Sequence, residues 1–290
     1  MLDYTVEDFS VPVARAALAA LVALFVVSGA RGADTNMADA VNRKILRVCA
    51  TRANLPYSNE KGEGFENKIA EILGDELGIP VKYTWAPQGV GFIAHTLDLA
   101  HCDVVIGAAQ TDALTLNTNH YYRTTYALVF RPGEGLENVI SLADLRLRGK
   151  RIGIQSGIPA LGQFVKAGHM PMAKFYPLWV DTRFENPMRD MIEDIRAGEI
   201  DAAILWGPLA GYFAKRDGKN LTVVPLLQEV PGTPKLEYRI TMGVRLTDSG
   251  FKRRLNQIIA KRNADIEAVL QDFGVPLINE DNKLIAAPAR

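Results

Sequence analysis

Short apolar runs alternate with amphipathic segments along this chain, and the same order of segments occurs twice, in residues 46–107 and in residues 152–207. Each copy begins with a short apolar run, continues through segments with helical periodicity, and ends in an apolar run that starts with an aspartate, Asp103 or Asp201. Short apolar runs indicate buried strands, and longer amphipathic stretches indicate helices. Because parallel strands need helical crossovers, the repetition predicts two α/β units with parallel sheets.

Residues 66–77 give a clear helical signal, since Ile69, Leu73 and Leu77 recur at helical spacing and Gly78 follows at a C-cap position. The same patterns predict further helices at 92–99, 161–167, 187–196, 208–215 and 249–270. They predict strands at 46–49, 81–85, 103–107, 126–131, 151–154, 175–180, 202–205, 221–225 and 238–244.

Two segments are expected to cross between the units, near residues 130–134 and near residues 230–237. Pro132-Gly133 is a turn signal, and the strand at 238–244 should return the chain to the first unit. The predicted fold class is α/β with two lobes, each a mostly parallel sheet flanked by helices, joined by two hinge segments. Lobe 1 would comprise 43–131 plus 238–280, and lobe 2 would comprise 134–230. One continuous domain without hinge motion is the alternative.

The chain has 290 residues, of which 48% are apolar, which suffices for two modest cores. Its formal net charge of zero indicates neither nucleic acid nor an anionic membrane as a partner. An apolar run at 16–27 follows Arg15 and precedes small residues, as in a signal peptide cleaved near Ala30. Residues 1–30 are therefore predicted to be a signal peptide, with an uncleaved anchor as the alternative. The mature protein is expected to be soluble in the periplasm.

Export makes Cys49 and Cys102 candidates for a disulfide. If their strands ran parallel and in register, the two residues would be offset by about four positions, or about 13 Å along the strand. A disulfide tolerates a Cα–Cα distance of no more than about 7 Å. A bridge is thus expected to need a shifted register, and both the bridged and the free state stay open.

Local sequence strings carry a resemblance to a known family. They are RVCATRANLPYSNEKGEGFENKIAEILGDELGIPVKYTWAPQ at 47–88, CDVVIG at 102–107, YYRTTYALVFR at 121–131 and GKRIGIQSGIPALGQF at 149–164. Together they resemble the J-type accessory proteins (MxaJ/XoxJ-like) encoded beside periplasmic quinoprotein methanol dehydrogenases, which belong to the type II periplasmic solute-binding proteins. The resemblance covers residues 46–277. One departure is that Gly89-Val90 follow Gln88 where members tend to carry arginines, so partner contacts of those arginines are not carried over.

Amino-acid receptors of this superfamily usually bind the ligand's carboxylate with an arginine shortly after the third strand, and its ammonium group with an aspartate in lobe 2. Residues 107–114 contain no arginine, and Trp206 stands where the resemblance would place the aspartate. A free amino acid is therefore not the expected ligand. Arg52, Glu66 or Arg123 remain as replacements for the missing charges.

The predicted cleft lies at the carboxyl ends of the strands, where ligands of open α/β sheets bind. Its candidate side chains are mostly aromatic or neutral, which suits an apolar ligand or an inserted segment of a partner protein. The predicted contact residues are Tyr57, Trp85, Tyr121, Tyr122, Arg123, Gln155, Ser156 and Trp206, with Tyr212 as a further aromatic candidate. For several of the aromatic residues the alternative is packing in a lobe core. Gln155-Ser156 either holds an anion at a helix N-terminus or forms an ordinary strand-to-helix connection.

The local sequence contains no recognisable catalytic set, metal-ligand spacing or cofactor motif. Residues 153–157 read Gly-x-x-Ser-Gly, whereas a nucleophile elbow needs Gly-x-Ser-x-Gly, and the four histidines lack ligand spacing. Glu63 and Glu66 are expected to be a solvated loop residue and a helix N-terminal residue, where negative charge is favourable. We therefore expect a protein that is not an enzyme and that carries neither a cofactor nor a metal.

Two functions from different classes follow. The resemblance implies a non-catalytic periplasmic accessory factor of a PQQ-dependent methanol or alcohol dehydrogenase, with that quinoprotein and its c-type cytochrome as partners. The alternative is the solute receptor of an ABC importer, which would bind a small molecule in the cleft between the lobes. Association with the dehydrogenase would favour the first function, and thermal stabilisation by one class of ligand would favour the second.

Overall fold

Strands and helices alternate along most of the chain, in the order that the apolar pattern predicts. The computed structural model describes residues 39–181, 183–216 and 221–285. The strands are β1 (Leu46–Ala50), β2 (Ala53–Asn54), β3 (Ser58–Asn59), β4 (Val81–Trp85), β5 (Val104–Ala109), β6 (Leu116–Asn117), β7 (Tyr122–Phe130), β8 (Ile152–Gln155), β9 (Ala173–Tyr176), β10 (Ala202–Trp206), β11 (Thr222–Pro225) and β12 (Glu237–Val244). The α-helices are α1 (Phe65–Leu77), α2 (Phe92–His95), α3 (Ala160–Lys166), α4 (Pro187–Ala197), α5 (Gly207–Arg216), α6 (Ser249–Lys261) and α7 (Asn263–Asp272). Across these ranges, no helix combines the length and the apolarity that a membrane span requires.

The sheet consists of two parallel groups of strands, β4-β1-β5 and β10-β8-β9, joined through the antiparallel strands β12 and β7. Strand β1 runs parallel to β4 and β5, and strand β8 runs parallel to β9 and β10. Apolar side chains of α1, α6 and α7 cover the first group. Those of α3 pack on one side of the second group, and those of α4 and α5 form a separate core with it. This arrangement confirms the predicted α/β class.

Strand β7 connects the two groups because it changes its pairing partner midway. Residues 122–125 pair with β12, whereas residues 126–130 pair with β10 and β11. The predicted first lobe (43–131 plus 238–280) assigns all of β7 to one lobe, whereas the strand pairs with both groups. Strand β7 is buried along its whole length and passes from one group of strands to the other without a turn. Pro132-Gly133 follows the end of this strand. The division into two hinged lobes remains a prediction, and the described residues fall within one compact unit.

The predicted helix at 249–270 is divided into α6 and α7. Arg262 interrupts the apolar stripe there and has a non-helical backbone conformation. Its side chain bonds to Asp265 at 2.5 Å and lies 3.6 Å from Glu76 at the end of α1. The strand predicted at 175–180 lies at Ala173–Tyr176. It ends there because Pro177 has no N–H to extend the pairing of β9.

Cys49 and Cys102 are joined by a disulfide with a Cα–Cα distance of 5.4 Å. Strands β1 and β5 run nearly in register, with Cys49 opposite Val105, so the expectation that a bridge needs a shifted register is wrong. The chain before β5 does not continue along the strand axis. It bends across the sheet, where the carbonyl of His101 accepts a hydrogen bond from the Thr84 hydroxyl on β4 at 2.7 Å. This bend places Cys102 against Cys49.

Candidate functional site

Two adjoining cavities form a groove at the carboxyl ends of the parallel strands. The first, of about 600 Å³, is lined by residues that end or follow β1, β8, β9 and β10. The second, of about 530 Å³, is lined by residues that end or follow β1, β4 and β9. Residues 52–54, Leu178 and Val180 line both cavities, so we treat the two as one groove. Its position is the one expected for ligand sites of open α/β sheets.

Some of the predicted contact residues lie in this groove. Tyr57, Gln155 and Tyr212 line the first cavity, and Trp85 lines the second. The Gln155 amide donates to the carbonyl of Pro177 at 3.1 Å. These residues come from the ends of different strands and from the start of α5, so the fold brings together positions that are far apart in sequence.

Tyr121 and Tyr122, predicted as cleft contacts, lie instead in the apolar core, each only 6% exposed. They begin the buried strand β7 and pack edge to face at 5.0 Å. Ser156 is exposed and lines neither cavity. Its backbone N–H donates to the carbonyl of Tyr176 at 3.0 Å, as in an ordinary strand-to-helix connection.

Arg123 is buried as well, and its guanidinium binds the C-terminal segment. It donates to Asn282 Oδ1 at 2.7 Å, to the carbonyl of Asn279 and to the carboxylate of Glu237 on β12. All of these partners belong to the protein itself. Arg123 is therefore bound by groups of the protein itself, and its predicted contact with a ligand or partner stays a prediction.

Trp206 lies behind Tyr57 and does not line the groove. Its ring packs edge to face with Tyr126 at 5.2 Å and with Tyr238 at 5.5 Å. Burial raises the pKa of the Tyr57 hydroxyl well above its usual value, and a hydrogen bond with the Trp206 indole offsets part of this rise. We call Tyr57, Tyr126, Trp206 and Tyr238 the aromatic cluster. Tyr57 lines the first cavity, whereas Tyr126, Trp206 and Tyr238 pack in or against the apolar cores and line neither cavity.

The wall of the first cavity combines apolar, uncharged polar and charged side chains, and the charged ones are Arg52, Glu60, Lys61, Glu185 and Arg189. It includes the side-chain amides of Asn54, Asn59, Gln155 and Asn186. Arg52 is paired with Glu60 at 2.8 Å, with both side chains more than half exposed. Such a pair contributes at most about 1 kcal/mol, so Arg52 can exchange it for a ligand and its role as a replacement charge remains a prediction. Among residues 39–181, 183–216 and 221–285, no three His, Cys, Asp or Glu side chains form a group that could hold a metal ion.

Exposed apolar side chains lie next to the second cavity. Trp179 is 70% exposed, and its ring faces Gly89 in the loop after β4. Phe184 is 81% exposed, with the guanidinium of Arg183 over its ring at 5.3 Å. Val90 is fully exposed on the opposite loop. Large exposed apolar residues around a groove are typical of interaction surfaces.

Glu66 lies in the first turn of α1, as the sequence predicts, but its carboxyl is largely removed from water. Desolvation raises the pKa of this carboxyl to about 8, and no hydrogen bond or opposite charge contributes to the shift. Glu66 is thus protonated over much of the neutral range.

Gly107 explains how the Glu66 carboxyl fits against β5. A Cβ atom at this position would collide with the carboxylate, and the residue has a φ of +88°. It also lies at an irregularity in the pairing with β12, where Met242 faces Ile106 and Thr241 faces Ala108. Bulges of this kind are frequent next to functional sites. A glycine inside an apolar strand was the sequence signal for such a close approach.

Comparison with known proteins identifies the family. No family model matches the chain. The crystal structure of the periplasmic binding protein XoxJ from Methylobacterium extorquens AM1 matches with a TM-score of 0.68 and 40% sequence identity, over 81% of this chain and 100% of that one. The chain belongs to the XoxJ/MxaJ-like periplasmic binding proteins.

Two further relatives agree with this assignment. Protein MoxJ of Methylorubrum extorquens is 26% identical over 94% of this chain and 96% of its own length. The crystal structure of MxaJ from Methlophaga aminisulfidivorans MPT matches with a TM-score of 0.69 at 24% identity, over 80% of this chain and 100% of that one, which supports the fold. The resemblance found in the sequence strings is therefore confirmed, and so is the type II periplasmic binding protein fold. Membership also indicates a periplasmic location, while the predicted signal peptide (1–30) and its cleavage near Ala30 lie outside the described residues.

Proposed function

We propose that this XoxJ/MxaJ-like protein is a non-catalytic accessory factor of methanol oxidation that binds a periplasmic PQQ-dependent methanol or alcohol dehydrogenase and assists its maturation or activation. The c-type cytochrome of that system is a second candidate partner. The proposal rests on family membership together with the state of the groove. One observation supports it most, namely that Trp206 packs against Tyr126 and Tyr238 and does not line the groove.

The packing of Trp206 argues against a zwitterionic ligand. Trp206 occupies the position where the sequence comparison placed an ammonium-binding aspartate, and it packs against Tyr126 and Tyr238. Residues 107–114 supply no arginine for a carboxylate, and Arg123 is bound to the C-terminal segment. A free amino acid would therefore lack the two ionic contacts that receptors of this superfamily usually provide.

The open part of the groove suits a segment of a protein. Side-chain amides such as Asn54 and Gln155 can donate to and accept from a peptide backbone. Trp179 and Phe184 add exposed aromatic surface beside the second cavity, and aromatic residues often dominate the binding energy of interfaces. Under this proposal, an extended segment of the dehydrogenase lies in the groove.

A binding experiment tests the proposal directly. The mature protein, immobilised through its C-terminus, is exposed to purified dehydrogenase with and without pyrroloquinoline quinone, and to the cytochrome. We expect association with the dehydrogenase in at least one state, with or without pyrroloquinoline quinone. A stronger association with one of these states would distinguish maturation from activation. The absence of association in every state would contradict the proposal.

A second candidate function is that of an importer's solute receptor. It is favoured by the volume of the first cavity, about 600 Å³, which lies within the range of small-molecule sites. A thermal-shift screen with small alcohols, pyrroloquinoline quinone, its precursors and amino acids tests it, because a ligand that binds the native state raises the melting temperature. A clear shift with one class and no association with the dehydrogenase would favour the receptor. A flat screen with association would favour the accessory factor.

A further inference from the structure

The segment that follows α7 contacts both groups of strands, and we call its residues 273–282 the clasp. On the side of the first group, the backbone N–H of Ile278 donates to the carbonyl of Arg123 in β7 at 3.0 Å. Val275 and Leu277 are buried in the apolar core that α1, α6 and α7 form with this group. The hydrogen bonds of the Arg123 guanidinium described above add to these contacts. The clasp is thus fixed to the first group by backbone, side-chain and apolar contacts.

The clasp also lies against α5, which packs on the second group. A Cβ atom on Gly211 of α5 would collide with the carbonyl of Gly274, so the helix and the clasp touch through their backbones. The Phe273 ring stacks on the Tyr212 ring of α5 at 6.2 Å, and it packs edge to face on the Phe65 ring of α1 at 5.8 Å. One ring of the clasp therefore contacts a helix of each group.

These contacts lie where β7 passes from one group of strands to the other. Thr125 is the last residue of β7 that pairs with β12, and the hydroxyl of the preceding Thr124 donates to the carbonyl of Pro276 in the clasp at 2.8 Å. A Cβ atom on Gly207, the first residue of α5, would collide with the carbonyl of Thr125 and would lie 2.8 Å from Cγ of Pro276. The crossing point of β7, the start of α5 and the clasp therefore meet without room for another side chain. Contacts packed this closely transmit a displacement instead of absorbing it.

We propose that the clasp fixes the angle between the two groups of strands and thereby the width of the groove. Helix α5 supplies Leu209, Tyr212 and Phe213 to the wall of the first cavity, and the segment between β1 and α1 supplies Tyr57 and Asn59 to the same cavity. A shift of α5 against the clasp therefore moves one part of this wall relative to the other. The clasp acts in the same way whether a protein segment or a small molecule occupies the groove, so the inference does not depend on the proposed function.

Distances between spin labels in the full protein, without any partner, test this inference by electron–electron double resonance. The labels are attached at Asp75→Cys in α1 and at Glu193→Cys in α4, which shares a core with α5; both positions are exposed. The two native cysteines are joined in the disulfide and do not take up label. We expect one narrow distribution of distances for the parent protein. Gly211→Ala should broaden it or shift its mean by about 2 Å, the size of helix shifts at packed interfaces, because the new methyl group must displace α5 from the clasp.

Two further variants assign the change to the clasp. Phe273→Ala removes the ring that contacts both groups without adding an atom, and it should broaden the distribution even if Gly211→Ala does not fold. Gly162→Ala in α3 is the matched control, because its Cβ atom would lie 3.5 Å from Cδ of Pro234, an ordinary contact, and it should leave the distribution unchanged. The parent's distribution in folded Gly211→Ala or Phe273→Ala protein, or an equal change in Gly162→Ala, would overturn the inference. Because no partner is present, such a failure would leave the proposed accessory function untouched.

Discussion

Glu66 and Arg123 are two ionisable residues that differ in whether a group of opposite charge binds their side chain. Arg123 donates hydrogen bonds to a carboxylate, a carbonyl and an amide oxygen, so its charge is compensated. Desolvation raises the pKa of the Glu66 carboxyl to about 8, so this carboxyl keeps a proton instead. Neither state was evident from the sequence, where Arg123 was a candidate ligand contact and Glu66 a helix N-terminal residue at which negative charge is favourable. The identity of the neighbours decides between these roles, and neighbours distant in sequence cannot be deduced from local pattern.

Replacing Glu66 by glutamine should change how stability depends on pH. The native protein binds the Glu66 proton up to about pH 8 and the unfolded chain only up to about 4.5, so the parent's free energy of unfolding falls as the pH rises between these values. Glu66→Gln cannot ionise, and its stability relative to the parent should rise by up to about 1.4 kcal/mol per pH unit. Urea unfolding at pH 5, 6, 7 and 8 measures this. An unchanged difference across the series would contradict the buried neutral state, and Glu71→Gln is the control.

Replacing Arg123 by methionine should destabilise the protein strongly. It leaves the carboxylate of Glu237, whose side chain is 15% exposed, without its buried partner, which costs about 3 to 5 kcal/mol. Arg146→Met is the matched control, because Arg146 pairs with Asp144 at a more exposed site and such pairs contribute about 1 kcal/mol or less. Urea unfolding of both variants distinguishes the two cases. Equal small effects would return Arg123 to the list of candidate ligand contacts.

Among the secondary-structure elements, those with strong local periodicity were predicted well. Helix α1 spans Phe65–Leu77 against a prediction of 66–77, and Gly78 ends it in the left-handed conformation. The prediction failed where a contact from elsewhere changes the chain direction. Arg262 bends the last long helix toward Glu76, and the segment before β5 crosses the sheet to reach β4. Local pattern does not contain such contacts, so element boundaries and bends were less certain than element types.

Removing the disulfide tests how much the crosslink between β1 and the segment before β5 stabilises the fold. The bridge closes a separation of 53 residues between Cys49 and Cys102. The double variant Cys49→Ser, Cys102→Ser should lose about 2 to 4 kcal/mol of stability, because the unfolded chain regains the freedom that the crosslink removes. Thermal unfolding measures the loss, with the parent protein before and after reduction as a comparison. A double variant as stable as the oxidised parent would show that the crosslink does not stabilise the fold.

At the scale of the whole molecule, the side chains that border the groove differ from those that stabilise the fold. Its two cavities share residues 52–54 and are bordered by exposed aromatic side chains that contribute little to any core. The side chains that hold the fold together lie behind it, in the aromatic cluster and in the apolar cores. Substitutions at the border of the groove should therefore affect partners and leave folding unchanged.

Trp179→Ala combined with Phe184→Ala should weaken association with the dehydrogenase at least tenfold, because interface aromatics commonly contribute more than about 1 kcal/mol each. The melting temperature should hardly change, since the two side chains are 70% and 81% exposed. Leu246→Ala is the control, an apolar residue before α6 that is 64% exposed and lies outside the groove. Equal affinity of the double variant and the parent would place the partner on another surface.

The sequence by itself determined the α/β class, the repeated order of strands and helices, the family and the loss of the charged residues that bind amino acids. These depend on periodicity and residue type, which are local properties of the chain. The tertiary structure decided which aromatic residues line the groove and which pack in the cores. It also decided why Cys49 reaches Cys102 and why Glu66 keeps a proton. Each of these depends on groups that meet only after folding, because burial and electrostatic environment are set by the whole molecule.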